Sequence, residues 1–190
     1  MKNNRSNLDS NKKTTSWGKE AKWYDKMLEE NEDTFQAKVI LPNLMRLLNL
    51  KPDEVIVELG CGQGFFARQI AKTGARVIGI DLGKELIEIA KARADKEGIP
   101  TRNLTFFTGS ADVVQQTIVT KSVDAVVIVL ALQNMKNIIG VITEIKRMLK
   151  DTGRAIIVLN HPTFRVPKAS DWGFDEKFKE QYRRVGKYIS

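Results

Sequence analysis

Short apolar runs alternate with helix-type patterns along residues 55–159, which is typical of an α/β domain. The runs are rich in β-branched and aromatic residues and predict five strands, at Val55–Leu59, Arg76–Ile80, Leu104–Phe107, Val123–Leu132 and Arg154–Leu159. Apolar residues at helical spacing predict helices at Phe65–Lys72, Leu82–Lys96 and Ile138–Leu149. Because strands that are apolar along their length are covered on both faces, we expect a parallel sheet between two layers of helices, the α/β core of residues 51–160.

The first 50 residues divide into a polar tail and a helical segment. After the initial Met1, residues 1–16 contain only Leu8 as a large apolar residue, and they are predicted to be disordered. Residues 17–50 predict an N-terminal helical cap. Its two helices are Lys19–Leu28 and a second one that Asp33 or Thr34 caps. Pro42 lies inside the second helix and predicts a kink or a restart there.

The first strand, loop, helix and second strand form the most informative unit of the sequence. Glu58 ends the first strand, and Gly60, Gly62 and Gly64 follow it in a turn that no bulky side chain crowds. Asp81 stands at the end of the second strand. Glycines admit a ligand against bare backbone, and the acid accepts hydrogen bonds from ribose hydroxyls, so this unit predicts a site for an adenosine-containing ligand.

The spacing of the glycines indicates which ligand. A dinucleotide site requires G-x-G-x-x-G, but here the pattern is G-x-G-x-G and Phe65 follows it. An acid followed by this loop resembles motif I of the class I S-adenosylmethionine-dependent methyltransferases, in particular the type 11, ubiquinone/menaquinone-methyltransferase-like group. The resemblance implies a Rossmann-like, doubly wound parallel sheet in the order 3-2-1-4-5, with S-adenosylmethionine as cofactor and S-adenosylhomocysteine as product.

The resemblance also implies roles for individual residues. The loop glycines, with the small Cys61 between them, line the methionine portion, and Glu58 orders the loop or reaches the cofactor's amino group. Asp81 binds the ribose diol, and Leu82 beside it belongs to the same site. The adenine is met by Ser110, Ala111 and Asp112, and the sulfonium lies near Leu130 and Gln133. Asp112 can also cap a short helix over residues 113–117, and the two roles are compatible.

Three further side chains have competing interpretations. Tyr24 either touches the methionine end of the cofactor or packs its helix on the sheet. His161, the only histidine, is either a general base at the end of the fifth strand or a turn-forming residue before Pro162. A catalytic role for the Cys61 thiol is not expected, because His161 is a hundred residues away. No metal site is predicted.

Residues 161–190 combine polar, basic and aromatic residues and predict a loop and a helix on the substrate side. Phe174–Ile189 has helical spacing, and Trp172, Phe174 and Tyr182 either cover an apolar substrate or pack this segment on the sheet. Related enzymes complete the sheet with an antiparallel hairpin, and we identify no sequence for one here. The chain is therefore expected to be truncated or to complete its edge differently, and the open edge of the fifth strand favours pairing in a homo-oligomer.

Charge and composition limit the partners. The net charge of +8 is concentrated at the two ends, which favours contact with RNA phosphates or, alternatively, solubility. The longest apolar run is too short for the roughly 20 residues of a membrane span, and the single cysteine fits a cytoplasmic location.

The segment after the fourth strand bears on the acceptor. Ala131–Asn134 lacks the [Asp/Asn]-Pro-Pro-aromatic tetrapeptide of enzymes that methylate exocyclic amines. The leading hypothesis is methyl transfer to a small molecule by in-line displacement. The alternatives are an RNA methyltransferase and a catalytically silent, cofactor-binding module that pairs through its sheet edge.

Overall fold

A computed structural model describes residues 34–161 and 170–185 of the chain. Its main sheet has five parallel strands in the order β3-β2-β1-β4-β5, as predicted. These strands are β1 (Val55–Leu59), β2 (Arg76–Asp81), β3 (Leu104–Thr108), β4 (Val123–Val129) and β5 (Leu149–Val158). The order reverses between β1 and β4, so the carboxyl ends of these two strands flank the crevice where open α/β sheets bind ligands.

Helices cover both faces of this sheet. They are α1 (Leu41–Leu48), α2 (Phe65–Ala71), α3 (Lys84–Lys96) and α4 (Ile138–Met148). The core is divided accordingly. One cluster joins α1, α2 and α3 to one face, and the other packs α4 on the opposite face through Val141, Ile145 and Met148. Side chains alternate along each strand, so β1 contributes Ile56 to the first cluster and Val57 to the second.

The helix that begins after Thr34 has an unusual first segment. Thr34 accepts hydrogen bonds from the backbone N–H groups of Ala37 and Lys38, as the predicted cap would. Gln36–Ile40 is a π-helix, and α1 continues from it with Pro42 in its first turn. Proline has no N–H and crowds the preceding turn, so the wider π-turn accommodates it. The sequence predicts a kink or a restart at Pro42; the backbone stays helical there, and the change from π-helix to α-helix falls at Leu41, one residue earlier. The first predicted cap helix and the tail lie outside the described residues.

Two local predictions are wrong. Residues 113–117 do not form the short helix; residues 115–117 are a turn, in which the N–H groups of Thr117 and Ile118 both donate to the carbonyl of Val114 at 2.9 Å. The fifth strand, predicted to begin at Arg154, begins at Leu149 directly after α4 and includes residues 150–153. This segment is a bulge: Val123 pairs with Leu149, but the next pair is Ala125 with Arg154.

The C-terminal segment differs most from expectation. Ser170–Asp175 (β6) and Glu180–Val185 (β7) form an antiparallel hairpin, so the helix predicted in this segment and the expected absence of hairpin-forming sequence are both wrong. Asp175 begins the turn, and its carboxylate accepts from the backbone N–H groups of Lys177 and Phe178. Within the described residues the hairpin is a separate two-stranded sheet, and β5 pairs only with β4.

Among residues 34–161 and 170–185, no helix is both long enough and apolar enough to cross a membrane.

The packing of α1 predicts unequal effects of two leucine substitutions. Leu44 is 1% exposed in the core, whereas Leu47 is 53% exposed on the same helix. Leu44→Ala should lower the free energy of unfolding by about 2–5 kcal/mol, because it leaves a cavity. Leu47→Ala, the matched control, should change it by less than about 0.5 kcal/mol. Urea denaturation measures both, and equal losses would show that α1 does not pack as described.

Candidate functional site

The candidate site lies where the carboxyl ends of β1 and β2 meet the loop of Gly60, Gly62 and Gly64. All three glycines have positive φ angles, of 75°, 55° and 79°, a backbone conformation that glycine adopts without strain. The loop is attached to β2, because the N–H groups of Gly60 and Cys61 both donate to the carbonyl of Ile80, at 2.7 and 3.1 Å. The sequence therefore folds this loop tightly across the ends of two neighbouring strands.

The three glycines differ in what surrounds them. A Cβ atom on Gly60 would lie 2.5 Å from Cβ of Ala131, and one on Gly64 would lie 2.7 Å from the ring of Phe106. These two glycines are needed for close packing of the loop. A Cβ atom on Gly62 would meet no atom within 4 Å. The backbone at Gly62 therefore borders open space, as a surface that receives a ligand must.

Asp81 holds the loop from the second strand. Its Oδ2 accepts from the N–H of Gly62 at 2.9 Å, and its Oδ1 accepts from the N–H of Gly83 at 2.7 Å. Burial raises the pKa of Asp81, and the hydrogen bonds from the backbone oppose that rise. Each carboxylate oxygen has a second lone pair, so Asp81 retains the capacity to accept from a ligand hydroxyl.

Glu58 is the most perturbed acid of the site. Its side chain is 1% exposed, and the N–H of Ala67, in the first turn of α2, donates a hydrogen bond to it. Its other oxygen, Oε2, is buried and has no hydrogen-bond partner. Burial raises the pKa of Glu58 to about 8, and the nearby charge of Asp81 adds to that effect. An unsatisfied buried acceptor of this kind is costly, and a ligand donor would satisfy it.

Gln133 provides a second unsatisfied acceptor. It lies in the 3₁₀ turn Leu132–Asn134 that follows β4, and its Nε2 donates to the carbonyl of Leu130 at 2.6 Å. Its Oε1 is buried without a partner. Leu130 itself has a φ angle of 52°, a left-handed conformation that turns the chain sharply at the end of β4. A strained residue and an unpaired acceptor both occur at this end of the strand.

A further set of polar side chains, Ser110 and Asp112, lies directly after β3. Asp112 accepts from the hydroxyl of Ser110 through one oxygen and from Nδ2 of Asn137 through the other, at 2.9 Å for Asn137. These two hydrogen bonds lower the pKa of Asp112, so it is a carboxylate at neutral pH. Ala111 between them packs against the core. The alternative role of Asp112 as a helix cap is wrong, because no helix follows it.

Four predicted site residues remain, namely Cys61, Leu82, His161 and Tyr24. The Cys61 side chain is buried against Gly79 and the core, and burial, together with the charges of Glu58 and Asp81, raises the pKa of its thiol. It is therefore a packing residue at neutral pH. Leu82 is 59% exposed directly after Asp81. His161 is exposed, three residues after the end of β5, and Tyr24 lies outside the described residues.

Sequence reasoning missed two residues that shape the site. Asn137 caps α4, since its Oδ1 accepts from the N–H of Gly140 at 3.0 Å while its amide holds Asp112. Its position just before a helical pattern was the available signal. Arg68 is 1% exposed and donates to the carbonyl of Gln63 in the glycine loop. No pattern in the sequence indicates that an arginine would be buried there.

The chemistry available to this arrangement is binding through oxygen acceptors. Carboxylates or an amide at the carboxyl ends of four strands, β1 to β4, can accept hydrogen bonds from hydroxyl and amino groups. Among the described residues no group of histidine, cysteine or acidic side chains fits a metal ion. The site is therefore suited to hold a polar, cationic organic molecule in a fixed orientation.

Comparison with known proteins agrees with this description. Residues 57–157 match a family described as a methyltransferase domain. Demethylmenaquinone methyltransferase of Tropheryma whipplei (strain Twist) is 31% identical over 118 residues, which cover 62% of this chain and 46% of that protein. The enzyme of the same name from Lactococcus lactis is 31% identical over 139 residues, 71% of this chain and 52% of that protein. The chain thus spans about half the length of these curated relatives.

A solved structure shares the fold. The S-adenosylmethionine-dependent methyltransferase of Mesorhizobium loti superposes with a TM-score of 0.65 at 23% identity, over 83% of this chain and 67% of that one. The matched family covers the glycine loop, Asp81, Asp112 and the whole of β4. The chain therefore belongs to the methyltransferase domain family of class I S-adenosylmethionine-dependent methyltransferases.

Proposed function

We propose that this protein transfers a methyl group from S-adenosylmethionine to a small-molecule acceptor. The observation that carries the proposal is that Oε2 of Glu58 and Oε1 of Gln133 are buried acceptors without hydrogen-bond partners, at the ends of the two strands that flank the crevice. Family membership supports the cofactor, and the residues present fit it. The methionine part of the cofactor carries an ammonium group, and an ammonium has three donors for such acceptors.

The remaining polar groups account for the rest of the cofactor. Asp81 would accept from the ribose hydroxyls, and Asp112, already oriented by Ser110 and Asn137, would accept from the adenine amino group. Gly60, Gly62 and Gly64 would leave room for the methionine chain. When bound, S-adenosylmethionine would supply an electrophilic methyl group on a positively charged sulfur.

The protein's part in such a transfer is alignment. An in-line displacement needs the acceptor atom opposite the leaving sulfur, and proximity and orientation can contribute about 7–11 kcal/mol to the barrier reduction. The rigid turn at Leu130 and the amide of Gln133 would shape the wall near the reacting atoms. His161, on the substrate side after β5, would serve as general base for an acceptor that must lose a proton.

Two observations support a small-molecule acceptor. The turn after β4 is Ala131–Asn134, without the Pro-Pro-aromatic element of enzymes that act on exocyclic amines. The two similar proteins described above are named as methyltransferases of demethylmenaquinone. An apolar, ring-containing small molecule is the acceptor class that these observations favour.

The assigned role of Asp81 predicts a loss of affinity on removal of its charge. Asp81→Asn should weaken binding of S-adenosylhomocysteine about ten- to a hundredfold, because hydrogen bonds to a charged acceptor contribute about 1.5–3 kcal/mol. Isothermal titration calorimetry measures the change. Asp95→Asn, an exposed residue on α3, is the matched control and should bind as the wild type does. Equal affinities of Asp81→Asn and wild type, or no binding by the wild type, would contradict the proposal.

The raised pKa of Glu58 predicts that the affinity for the cofactor product depends on pH. With its pKa near 8, Glu58 is largely protonated at pH 6, and an ammonium ligand favours its carboxylate form. Affinity for S-adenosylhomocysteine should therefore rise between pH 6 and 8 more steeply in the wild type than in Glu58→Gln, by up to about tenfold per pH unit. The ligand's own titration is the same for both proteins and cancels in the comparison.

The stability of the ligand-free protein tests the raised pKa of Glu58 independently of binding. The folded protein keeps a proton on Glu58 that the unfolded chain releases above about pH 4.5, so stability falls as the pH rises towards 8. Glu58→Gln should lose that decrease in a denaturation series. Parallel pH profiles of the two proteins, in binding and in stability, would refute the raised pKa and the ammonium contact.

The hairpin favours a second candidate, transfer to RNA. By strand register Trp172 and Phe174 share one face with Arg183, while the carboxylates of Asp171 and Asp175 occupy the other. Trp172 and Phe174 are 61% and 52% exposed, and the guanidinium of Arg183 lies 5.4 Å from the Trp172 ring. Exposed aromatic rings beside a cation stack on the bases of single-stranded nucleic acid.

Fluorescence anisotropy with a labelled single-stranded RNA tests this candidate. At about 50 mM salt the wild type should bind, with an affinity that falls as salt rises. The double variant Trp172→Ala/Phe174→Ala should bind at least about tenfold more weakly, since stacking contributes roughly 1–3 kcal/mol per base. Phe35→Ala, which removes an aromatic ring that is 60% exposed and lies outside the hairpin, is the control. A wild type that fails to bind, or variants that bind equally, would leave the small-molecule acceptor alone.

A further inference from the structure

Arg68 is buried in the middle of α2, with an exposed fraction of 1%. An arginine cannot give up its charge inside a protein, so its burial costs free energy unless partners compensate it. A buried ion pair is often no more stabilising than apolar residues of the same size. The presence of this arginine therefore calls for a reason beyond stability.

Two hydrogen bonds of Arg68 have partners in different parts of the fold. Its Nε donates to Oε1 of Glu97 at 2.7 Å, and its Nη1 donates to the backbone carbonyl of Gln63 at 2.7 Å. Glu97 stands at the C-terminal end of α3, and its second oxygen binds Nζ of Lys72 at 2.8 Å. The guanidinium thus connects the glycine loop to the end of a different helix.

The bond to Gln63 acts on the peptide between Gln63 and Gly64. Arg68 holds its carbonyl, and on the other side the N–H of Gly64 donates to the carbonyl of Cys61 at 2.9 Å. The carbonyl of Gly64 accepts from the N–H of Arg68 at 3.0 Å. The orientation of this peptide is therefore fixed at both of its polar ends, directly after the open position at Gly62.

Charge links Arg68 to the binding carboxylates as well. The positive charge of Arg68 lowers the pKa of Glu58, against the larger effect of burial and the effect of Asp81. The charged groups that bear on this region are Glu58 and Asp81 at the strand ends, Arg68 in α2 with Lys72 directly after it, and Glu97 directly after α3. Removal of the guanidinium would leave Glu58 harder to ionise.

We propose that Arg68, oriented by Glu97, is a positioning residue that holds the glycine loop in its ligand-binding conformation. The inference rests on the proposed cofactor site and adds to it a residue that does not touch the cofactor. Loop geometry then depends on the distance between α2 and the end of α3. A shift of α3 would be transmitted to the loop through Glu97 and Arg68.

A double variant separates positioning from stability. Arg68→Met/Glu97→Gln removes both charges and keeps similar volumes, so the fold retains no unpaired buried ion. It should unfold within a few degrees of the wild type yet bind S-adenosylhomocysteine at least about tenfold more weakly. The pH at which its affinity rises should also move upward, because Glu58 loses the favourable charge of Arg68. Lys72→Met, 46% exposed and bonded to the same Glu97, is the control and should bind within about twofold of the wild type.

Hydrogen exchange of the ligand-free protein provides a readout that needs no ligand. Backbone amides of residues 60–66 should exchange faster in the double variant than in wild type or Lys72→Met. Wild-type affinity together with unchanged exchange in the double variant would overturn the inference. If the wild type itself does not bind S-adenosylhomocysteine, the proposed function fails, and the exchange rates alone then decide whether Arg68 holds the loop.

Discussion

The hydrogen bond between the Asp81 carboxylate and the N–H of Gly62 is the contact on which the site depends. It joins the end of β2 to the loop after β1, at 2.9 Å, in a region that burial has made unfavourable for charge. A charge-assisted bond of this kind is stronger than one between neutral groups. It keeps the loop backbone against the strand ends while leaving the space beside Gly62 open. The sheet order provides the crevice, and this bond gives the crevice a polar wall.

The site also contains groups that cost stability. Glu58 is buried with one oxygen unsatisfied, and Oε1 of Gln133 is in the same state. Unsatisfied buried acceptors and a raised carboxyl pKa are features that functional sites retain at the expense of the fold. The surrounding structure compensates for them with two well-packed apolar clusters on the faces of the sheet. The cost is therefore local, and it falls where a ligand would offset it.

Much of this fold could be predicted because its strands are short, apolar and separated by helical patterns. Val123–Val129 is an example, since every residue but Asp124 is buried in the sheet. The glycine loop and Asp81 could be predicted because turn geometry restricts the residue types that fit there. The hairpin could not, because Phe178 and Tyr182 lie at a spacing that fits a helix as well as a strand and turn. The hairpin is distinguished from a helix by the turn at Asp175 and by the close packing of Tyr182 on Gly173.

Buried charge is the other part that the sequence concealed. Arg68 lies in a short helix whose apolar pattern shows one inward face, and nothing nearby in sequence indicates that Glu97, 29 residues later, is its partner. Ion pairs between distant residues arise from the tertiary packing of helices, which a periodic pattern does not encode. The same applies to Arg154 in β5, whose partner Glu54 lies directly before β1 and 100 residues earlier in the sequence. Such pairs have to be found in the structure.

A crystal structure with S-adenosylhomocysteine bound is the most direct test of this cofactor site. The ligand's amino group should lie within about 3.2 Å of Oε2 of Glu58, with the ribose hydroxyls at the carboxylate of Asp81. A ligand bound away from the glycine loop, or an amino group that leaves the Glu58 oxygen unpartnered, would contradict it.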